Sequence, residues 1–407
     1  MIIDSLTELR EKLISSHMTD VRKVMEEQVT DNVHVVQENL SYSKSELSKI
    51  LGVSRPTLDS VIEKLQENGE LQDLMRKTNG YLLNSTHCDI IRGHLEIPTW
   101  SESVGTKHVI AVTNYKGGIG KSTTTINLAS ALSLSLIESK RVLVIDFDPQ
   151  GSCRNHSQPD MSRERDILTA VDLMLADYEK DGAYNDYHDY VDEYGHTAIV
   201  KMMCQPTQYH NLDILPAFTT DNRFSRFVYS NKIDLDTAKS LLKTKVIDHL
   251  IDEYDVIFID TSPSMEIYLD NALEAASGLL IPVAPRRLDW TSTTYYFEQL
   301  PQVLAELPSK GKNIDWYRVL LNNVEHEYNR DAKMVADIQN VMDAKNMFIK
   351  SIERSSAFEV AAQNFRTVLD MRQKEKLAPP LQLNNAKTCV NAVARELNSI
   401  LKTQKGI

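Results

Sequence analysis

The sequence has few of the residues that build disulfide frameworks or metal clusters. Its 407 residues include only four cysteines, which are widely separated and form no Cys-x-x-Cys pair: Cys88, Cys153, Cys204 and Cys389. This pattern argues against a disulfide scaffold, a structural zinc site and an iron–sulfur cluster, and it fits a reducing cytoplasm. There is no apolar run of about 18 residues and no basic-then-apolar leader at the start. We therefore expect a cytoplasmic protein that does not enter a membrane.

The chain also lacks an overall positive charge, since its formal net charge is −12. The charge is unevenly distributed, however. Residues 155–200 contain eleven acidic and three basic residues, whereas residues 345–407 contain eleven basic and five acidic residues. The basic C-terminal segment can bind phosphate backbones even on an acidic protein, although a solvated charged face is the alternative interpretation.

Glycine is not abundant, yet three glycines are concentrated in one short segment. Residues 109–112 form an apolar, strand-like run, and a helix-compatible run begins at Ser122. Between them stands Lys116-Gly117-Gly118-Ile119-Gly120-Lys121-Ser122, followed by Thr123. Glycines in this arrangement let backbone N–H groups wrap a phosphate, while the lysine adds charge and the serine offers a hydroxyl to Mg²⁺. The usual pattern has a glycine at position 115, where this chain has Tyr115, and here a second lysine, Lys116, precedes the glycines. The segment predicts a nucleotide-binding site.

Strand-like runs alternate with helical stretches from residue 107 onward. The runs are residues 109–113, 142–146, 212–215, 255–260, 278–283 and 317–321. This alternation predicts an α/β fold with a mostly parallel sheet and helices on both faces. The acidic, tyrosine-rich stretch 177–194 is expected to loop over the surface.

Two of the predicted strands end in acidic residues. Asp146 and Asp148 follow the run that begins at Val142, and Asp260 follows the run that begins at Val256. Because the carboxyl ends of parallel strands line the ligand crevice, all three acids are expected beside the glycine loop. Phosphoryl transfer needs Mg²⁺, cations on the phosphates and a group that orients water. Asp260 fits the metal-side acid together with Ser122, Asp148 fits the water-positioning group, and Asp146 could support either role.

Residues 36–84 predict a winged helix-turn-helix. Ser43 and Glu46 form a capping-box pattern, Gly52 ends the first helix, and Ser54 caps the second. Asn79-Gly80 between two strand-like runs predicts a hairpin wing. The DNA-contacting side chains are then expected on the second helix and the wing: Ser54, Arg55, Thr57, Asp59, Arg76 and Lys77. A helical hairpin without a DNA role is the alternative.

The remaining segments complete the predicted domain organisation. Residues 1–35 are charged, favour a helix and show roughly helical apolar spacing, which we interpret as a dimer contact, with packing on the neighbouring domain as the alternative. Residues 85–106 contain Pro98 and Gly105 and are expected to be an irregular linker. Residues 107–407 then form the nucleotide-binding domain.

Three of these motifs together resemble the ParA/MinD family of ATPases. Lys116-Gly-Gly-Ile-Gly-Lys-Ser resembles the deviant Walker A motif, Asp146-Phe-Asp-Pro-Gln the Walker A′ motif, and Ile259-Asp-Thr-Ser-Pro-Ser the Walker B motif. Asn271-Ala-Leu-Glu-Ala-Ala, Leu280-Ile-Pro-Val and Ile352-Glu-Arg-Ser-Ser also resemble ParA sequences. The resemblance covers about residues 107–400, and the predicted helix-turn-helix resembles the larger, plasmid- or prophage-encoded partition proteins.

The resemblance implies a DNA partition ATPase that uses ATP/ADP and Mg²⁺. It implies that Lys116 crosses a homodimer interface to the partner's phosphates, that Asp148 orients the hydrolytic water and that Asp260 serves Mg²⁺. It also implies non-specific DNA binding with ATP at the nucleoid, stimulation by a ParB-type partner, and autorepression of the operon through operator DNA. Asn322 and Asn323 replace a more usual threonine-containing sequence in the base-reading region and are candidate adenine contacts.

Three other functions are alternatives to partition. A membrane-cycling ATPase of the MinD type would end in a basic amphipathic anchor, whereas the last helix here has one narrow apolar face (Val390, Val393, Ala394, Leu397 and Leu401) that is expected to pack on the sheet. An ATP-driven reductase of the nitrogenase iron-protein type would need paired cluster cysteines. A nucleotide-regulated transcriptional repressor without a motor role uses the same two motifs, so this alternative stays open.

Overall fold

The structure is a computed structural model that describes most of the chain. The described residues are 7–9, 12, 35–72, 74–77, 80–154, 167–230, 233–263, 267–325 and 329–406. Most of the predicted N-terminal helix of residues 1–35 lies outside these ranges. So do Thr78 and Asn79 of the predicted hairpin turn.

The strands form one small and one large sheet. The small sheet is an antiparallel hairpin of β1 (Met75–Lys77) and β2 (Gly80–Leu82). The large sheet contains seven strands: β3 (His108–Val112), β4 (Val142–Phe147), β5 (Gln205–Pro206), β6 (Leu212–Leu215), β7 (Val256–Thr261), β8 (Gly278–Val283) and β9 (Trp316–Leu321). Their order is β5-β6-β4-β7-β3-β8-β9, and every pairing is parallel except that of the short edge strand β5 with β6. The predicted mostly parallel sheet is confirmed, and β5 is an addition that the sequence did not predict.

Helices connect the strands and cover the sheet. In chain order they are α1 (Lys44–Leu51), α2 (Arg55–Glu67), α3 (Ser85–His94), α4 (Trp100–Ser103), α5 (Lys121–Ser133), α6 (Ala170–Met174), α7 (His188–Tyr194), α8 (His196–Met203), α9 (Arg223–Tyr229), α10 (Leu235–Leu242), α11 (Asp248–Leu250), α12 (Ile267–Ala275), α13 (Arg287–Ala305), α14 (Asn329–Val341), α15 (Ser356–Gln363) and α16 (Pro380–Leu401). Within the described ranges, no helix is both long and apolar enough to span a bilayer.

The two faces of the sheet bury different side chains because successive strand residues point to opposite sides. Val109 and Ala111 belong to one apolar cluster, whereas Ile110 and Val112 belong to the other. The second cluster includes α5 and the apolar face of α16. The prediction that this face of the last helix packs on the sheet is therefore confirmed.

The N-terminal helix pair begins and ends where the sequence predicts. Ser43 and Glu46 form the capping box of α1, Gly52 ends α1 in the left-handed region, and the Ser54 side chain accepts a hydrogen bond from the Thr57 N–H at the start of α2. Leu58, Ile62 and Leu65 of α2 are buried in a third apolar cluster together with Leu47 and Leu83.

Two segments that were expected to be irregular are partly helical. The expected linker contains α3 and α4, so the prediction of irregular chain there is wrong. Asn84 caps α3, while Pro98 and Gly105, which suggested a linker, lie outside both helices. The acidic stretch contains α7 and a preceding 3-10 turn (Ala183–Tyr187), and tyrosines of this stretch pack against the core.

The N-terminal helices contact the large domain through polar groups and shared apolar clusters. Asp89 of α3 accepts hydrogen bonds from Ser139 at 3.0 Å and His210 at 2.6 Å. Leu136, which follows α5, packs into the cluster of the N-terminal helices. In turn, Val36 and Trp100 pack into the cluster of the large sheet.

Candidate nucleotide-binding site

The glycine loop lies between β3 and the first turn of α5. Gly118 and Gly120 have φ values of 76° and 85°, which glycine adopts without the steric cost of a Cβ. Gly120 directly precedes α5, and no side chain caps this helix end. A Cβ at Gly120 would lie 2.6 Å from Asn322 Nδ2. The loop thus presents the N–H groups of a helix N-terminus, where anions bind favourably.

The two loop lysines occupy different environments. Lys121 is buried, and its Nζ donates a hydrogen bond to the Lys116 carbonyl at 3.1 Å. Burial lowers the pKa of Lys121, while Asp260 and Asp148 oppose this shift. The Lys116 side chain is 38% exposed, and its Nζ lies 3.5 Å from Asp289. Lys121 therefore faces the acids of the site, whereas Lys116 lies at the surface.

Asp260 is the second-last residue of β7 and lies beneath α5. Its Oδ1 accepts a hydrogen bond from the Thr125 hydroxyl at 3.1 Å. Among the described residues, Asp260 Oδ2 is buried and has no hydrogen-bond partner. Burial raises the pKa of Asp260 to about 6, and the nearby Ser122 hydroxyl and Cys153 thiol oppose the rise. A buried carboxylate with an unsatisfied oxygen fits a group that serves a cation.

Asp146 is fully buried beside Asp260. Its Oδ2 accepts hydrogen bonds from the backbone N–H groups of Cys153 at 3.0 Å and Arg154 at 3.3 Å. Within the described part of the chain, its Oδ1 has no partner. Burial raises the pKa of Asp146 well above its usual value, and the charge of Asp260 adds to this rise.

Asp148 lies at the rim of the same crevice and is only half-buried. Its Oδ1 accepts a hydrogen bond from the Gln150 backbone N–H at 3.0 Å, which fixes the turn after β4. The structure therefore brings the three predicted acids together at the carboxyl ends of β4 and β7, next to the loop that follows β3.

A cavity of about 320 Å³ opens beside the loop. Its wall combines loop and helix residues with residues far along the chain: Gly118, Gly120, Thr123, Thr124, Arg286, Asn322, Asn323, Ile352, Arg354, Ser355, Phe358, Glu359 and Ala362. The Asn322 Nδ2 donates to the Ile119 carbonyl at 2.6 Å and to Thr124 Oγ1 at 3.1 Å. Asn322 thus braces the loop, while Arg286 and Arg354 are both paired with Glu325.

The candidate DNA contacts are arranged less uniformly than the sequence suggests. Arg55 and Thr57 are exposed on α2, and Thr57 Oγ1 lies 2.7 Å from Ser54 Oγ. Asp59 is half-buried and accepts a hydrogen bond from Lys44 at 2.6 Å, so it links the two helices of the pair. Arg76 and Lys77 lie on β1, opposite Tyr81 and Gly80 of β2.

Some residues of the site could not be found by motif. Thr125 contacts Asp260 from one turn into α5, and Cys153 reaches Asp146 after the chain reverses beyond β4. Asp289 reaches Lys116 from the start of α13. Of the cavity residues beyond Asn323, Ile352, Arg354 and Ser355 carried a sequence signal, because they belong to the Ile352-Glu-Arg-Ser-Ser segment.

Comparison with known proteins gives the site a family context. A profile for a family described as an AAA domain matches residues 107–308. Plasmid partition protein A of Escherichia coli is 25% identical over 389 residues, covering 91% of this chain and 92% of that protein.

Solved structures share the fold. A structure described as a partition protein superposes with a TM-score of 0.67 at 21% identity, covering 95% of this chain and 99% of that chain. Cobyrinic acid a,c-diamide synthase from Mycobacterium smegmatis, solved with a bound ATP analogue and magnesium, gives a TM-score of 0.54 at 17% identity, covering 73% of this chain and 96% of that chain. The assembled phosphate loop and acids, together with a partition-protein relative that matches nearly the whole length at 25% identity, support assignment of this chain to the ParA family of ATPases.

Proposed function

We propose that the protein hydrolyses ATP with Mg²⁺ to drive the partition of plasmid or prophage DNA. The observation that carries this proposal is the meeting of one phosphate loop, two lysines and three acids at one edge of the sheet. The near full-length similarity to a plasmid partition protein supports the biological role. Partition would require the chain to bind nucleotide, DNA and a partner protein.

The loop residues 116–123 would hold the phosphates of ATP. The N–H groups of the first turn of α5 and the Lys121 ammonium group offer positive charge on the same side. Ser122 would hold Mg²⁺ at the phosphates, and Asp260 would face the ion through its unsatisfied oxygen. Bound Mg²⁺ neutralises charge that develops on the phosphates during transfer. These donors are hard oxygens, which suit Mg²⁺.

Asp148 would position the attacking water because it is the acid at the open rim. It lies near solvent at the edge of the crevice, whereas Asp146 is sealed under the loop and is better placed to support the cation. A positioned water and a neutralised phosphate are the main requirements of this reaction.

Lys116 would act on the ATP of a second subunit in a homodimer. The resemblance to the deviant Walker A motif suggests this role, and the exposure of the Lys116 side chain allows it. The 320 Å³ cavity would hold the adenosine. Phe358 and Ile352 would contact the base, and Arg354 would lie near the polar groups of the adenosine.

Two DNA surfaces would serve different tasks. The helix pair α1–α2 and the hairpin would bind operator DNA through Ser54, Arg55, Thr57, Asp59, Arg76 and Lys77, and so repress the operon. The basic segment 345–407 would bind any duplex of the nucleoid in the ATP state. A ParB-type partner would stimulate hydrolysis and release.

The two DNA activities can be separated with Arg55→Ala. We expect this variant to lose operator binding, since Arg55 is exposed at the start of α2, and to keep salt-sensitive, ATP-dependent binding to random DNA. Lys64→Ala, which removes an exposed charge further along α2, is the matched control. Unchanged operator affinity in Arg55→Ala would exclude α2 as the reading element.

The alternative is a nucleotide-regulated repressor without a motor role. Both proposals predict operator binding, so the decisive measurement is ATP turnover with random DNA and the cognate centromere-binding protein. Turnover that rises with both supports partition, whereas nucleotide binding without turnover supports the repressor.

A further inference from the structure

Three potential metal ligands meet behind the phosphate loop. One ligand atom each from Asp146, Cys153 and Asp260 lies within 4.8 Å of the others, and all three side chains are buried. In the described part of the structure, Asp146 Oδ1 and Asp260 Oδ2 have no hydrogen-bond partner. Buried carboxylate oxygens without a donor are costly, so a bound cation would stabilise this cluster.

The thiol is held in this cluster by the turn that follows β4. Gly151 has a φ of 65°, and a Cβ there would lie 2.8 Å from the Ala217 carbonyl. This close packing leaves the backbone little freedom. The Cys153 N–H then donates to Asp146 at 3.0 Å, and its Sγ lies 3.8 Å from the Ser122 carbonyl. The sulfur therefore lies on the same side of the sheet as both acids.

The donor set distinguishes soft from hard cations. Mg²⁺ prefers oxygen ligands and keeps several waters, so a thiol is a poor ligand for it. Zn²⁺ and Cd²⁺ bind thiolate strongly and accept carboxylates as further ligands.

We propose that Asp146, Cys153 and Asp260 form a binding site for a thiophilic divalent cation, such as Cd²⁺ or Zn²⁺, in the nucleotide-free protein. A metal–sulfur bond replaces the S–H bond, and the released proton goes to the buffer. The two carboxylates supply the remaining protein ligands and the charge balance. Binding requires no nucleotide.

Occupancy of this site has a consequence for the ATPase. The ion holds Asp260 and Asp146, the acids that face Mg²⁺ in the proposed function. Thiophilic cations therefore inhibit ATP turnover in competition with Mg²⁺. This consequence rests on the proposed function, whereas the binding itself does not.

The test is a titration of the nucleotide-free full-length chain with Cd²⁺. Thiolate-to-metal charge-transfer absorption reports the sulfur bond, and calorimetry reports affinity. We expect a band that saturates at one Cd²⁺ per chain, and at least about tenfold weaker binding without the band in Cys153→Ser. Cys389→Ser, which alters a buried thiol on α16, is the matched control and should keep both.

Two outcomes would overturn the proposal. One is a wild-type protein without the charge-transfer band, and the other is a Cys153→Ser variant whose band and affinity equal those of the wild type. If Cys153→Ser does not fold, cadmium NMR of the wild type decides, because the chemical shift reports the number of sulfur ligands. One sulfur is expected, and none or several would contradict the site. Since no nucleotide is present, the result does not depend on whether the protein hydrolyses ATP.

Discussion

Asp146 and Asp260 occupy directly paired positions on the adjacent parallel strands β4 and β7. Paired residues on neighbouring strands are about 5 Å apart and point to the same face. Here that face is covered by α5, so both carboxylates are sealed beneath the phosphate loop. Burial raises the pKa of both groups. The pair is therefore unfavourable for the empty fold and favourable for binding a cation.

Asp260→Asn is expected to stabilise the nucleotide-free protein near neutral pH. The pKa of Asp260 rises from 3.8 to about 6 in the folded chain, so the folded state binds the proton more tightly than the unfolded state does. The preferential protonation of Asp260 in the folded state adds to the free energy of unfolding. This contribution is fully present below the unfolded-state pKa of 3.8 and is lost as the pH rises through about 6. We expect a gain of about 2–3 kcal/mol near pH 7.5, and roughly half of that near pH 5.

Urea unfolding of both proteins at the two pH values measures this gain. Asp192→Asn, which removes an exposed charge from α7, is the control and should change stability by less than about 0.5 kcal/mol. If Asp260→Asn raises the free energy of unfolding equally at both pH values, the raised pKa of Asp260 is not the cause of the gain.

Lys121→Ala and Lys116→Ala should differ in which step they impair. The buried Lys121 faces the acids and the loop, so its loss should weaken ATP binding about 100-fold. The exposed Lys116 should affect hydrolysis and ATP-dependent dimerisation while nucleotide affinity changes little. Nucleotide titration, turnover and light scattering separate the two. Lys312→Ala is the control, and equal loss of affinity in both variants would reject the proposed role of Lys116 in the partner's site.

Asp148→Ala should bind ATP and Mg²⁺ but turn over at least about 100-fold more slowly. Asp148 is the half-buried acid at the rim, where water approaches, so its loss should leave the phosphate contacts intact. The long-lived ATP state should then accumulate on DNA, which filter binding with random duplex can detect. Near-normal turnover would move the water-positioning role to Asp146.

Loosening the contact between residues 38–39 and 374–375 should weaken the link between nucleotide and operator. Lys374 donates to Glu38 at 3.0 Å, and Asn39 contacts Glu375. The same segment reaches α5, because the Val368 N–H donates to Asn127 at 3.3 Å. A loop tied at both ends can transmit a change in α5 to the N-terminal helices.

The test compares operator affinity with ADP and with a non-hydrolysable ATP analogue. In Asn39→Ala/Lys374→Ala we expect the two affinities to converge, since coupling between sites requires contacts that differ between states. Lys376→Ala removes a nearby exposed charge outside this contact and should preserve the difference. If the wild-type protein binds the operator equally well with ADP and with the ATP analogue, nucleotide is not coupled to operator binding and the prediction fails.

Local patterns predicted the parts of the structure that depend on local physics. The six main strands follow from apolar runs, and Ser43, Gly52 and Ser54 mark helix ends because capping involves residues three positions apart. Asp146, Asp148 and Asp260 were assigned to one edge because a parallel sheet brings the carboxyl ends of its strands together. These inferences needed no knowledge of the side-chain packing.

The rest of the site depends on contacts between distant segments. Cys153 contacts Asp260 because the turn after β4 folds back under α5. No spacing rule in the sequence predicts that turn. Asn322 stays a predicted adenine contact, and no spacing rule predicts that its amide nitrogen also braces Ile119 and Thr124. The sequence does not predict helix α3, because Pro98 and Gly105 in the same segment favour irregular chain and its cap at Asn84 pairs with a histidine rather than an acid.

Leu136 of the large domain packs into the N-terminal cluster, and Val36 and Trp100 pack into the cluster of the large sheet. This reciprocal packing limits how such proteins can be recombined. Each part of the molecule contributes side chains to the apolar cluster of the other. A chimera that joins the proposed operator-reading segment to the large domain of a relative would leave a cavity on one side and an unmatched apolar residue on the other. Changes of operator specificity are therefore easier to obtain by altering exposed positions of α2 than by exchanging the whole segment.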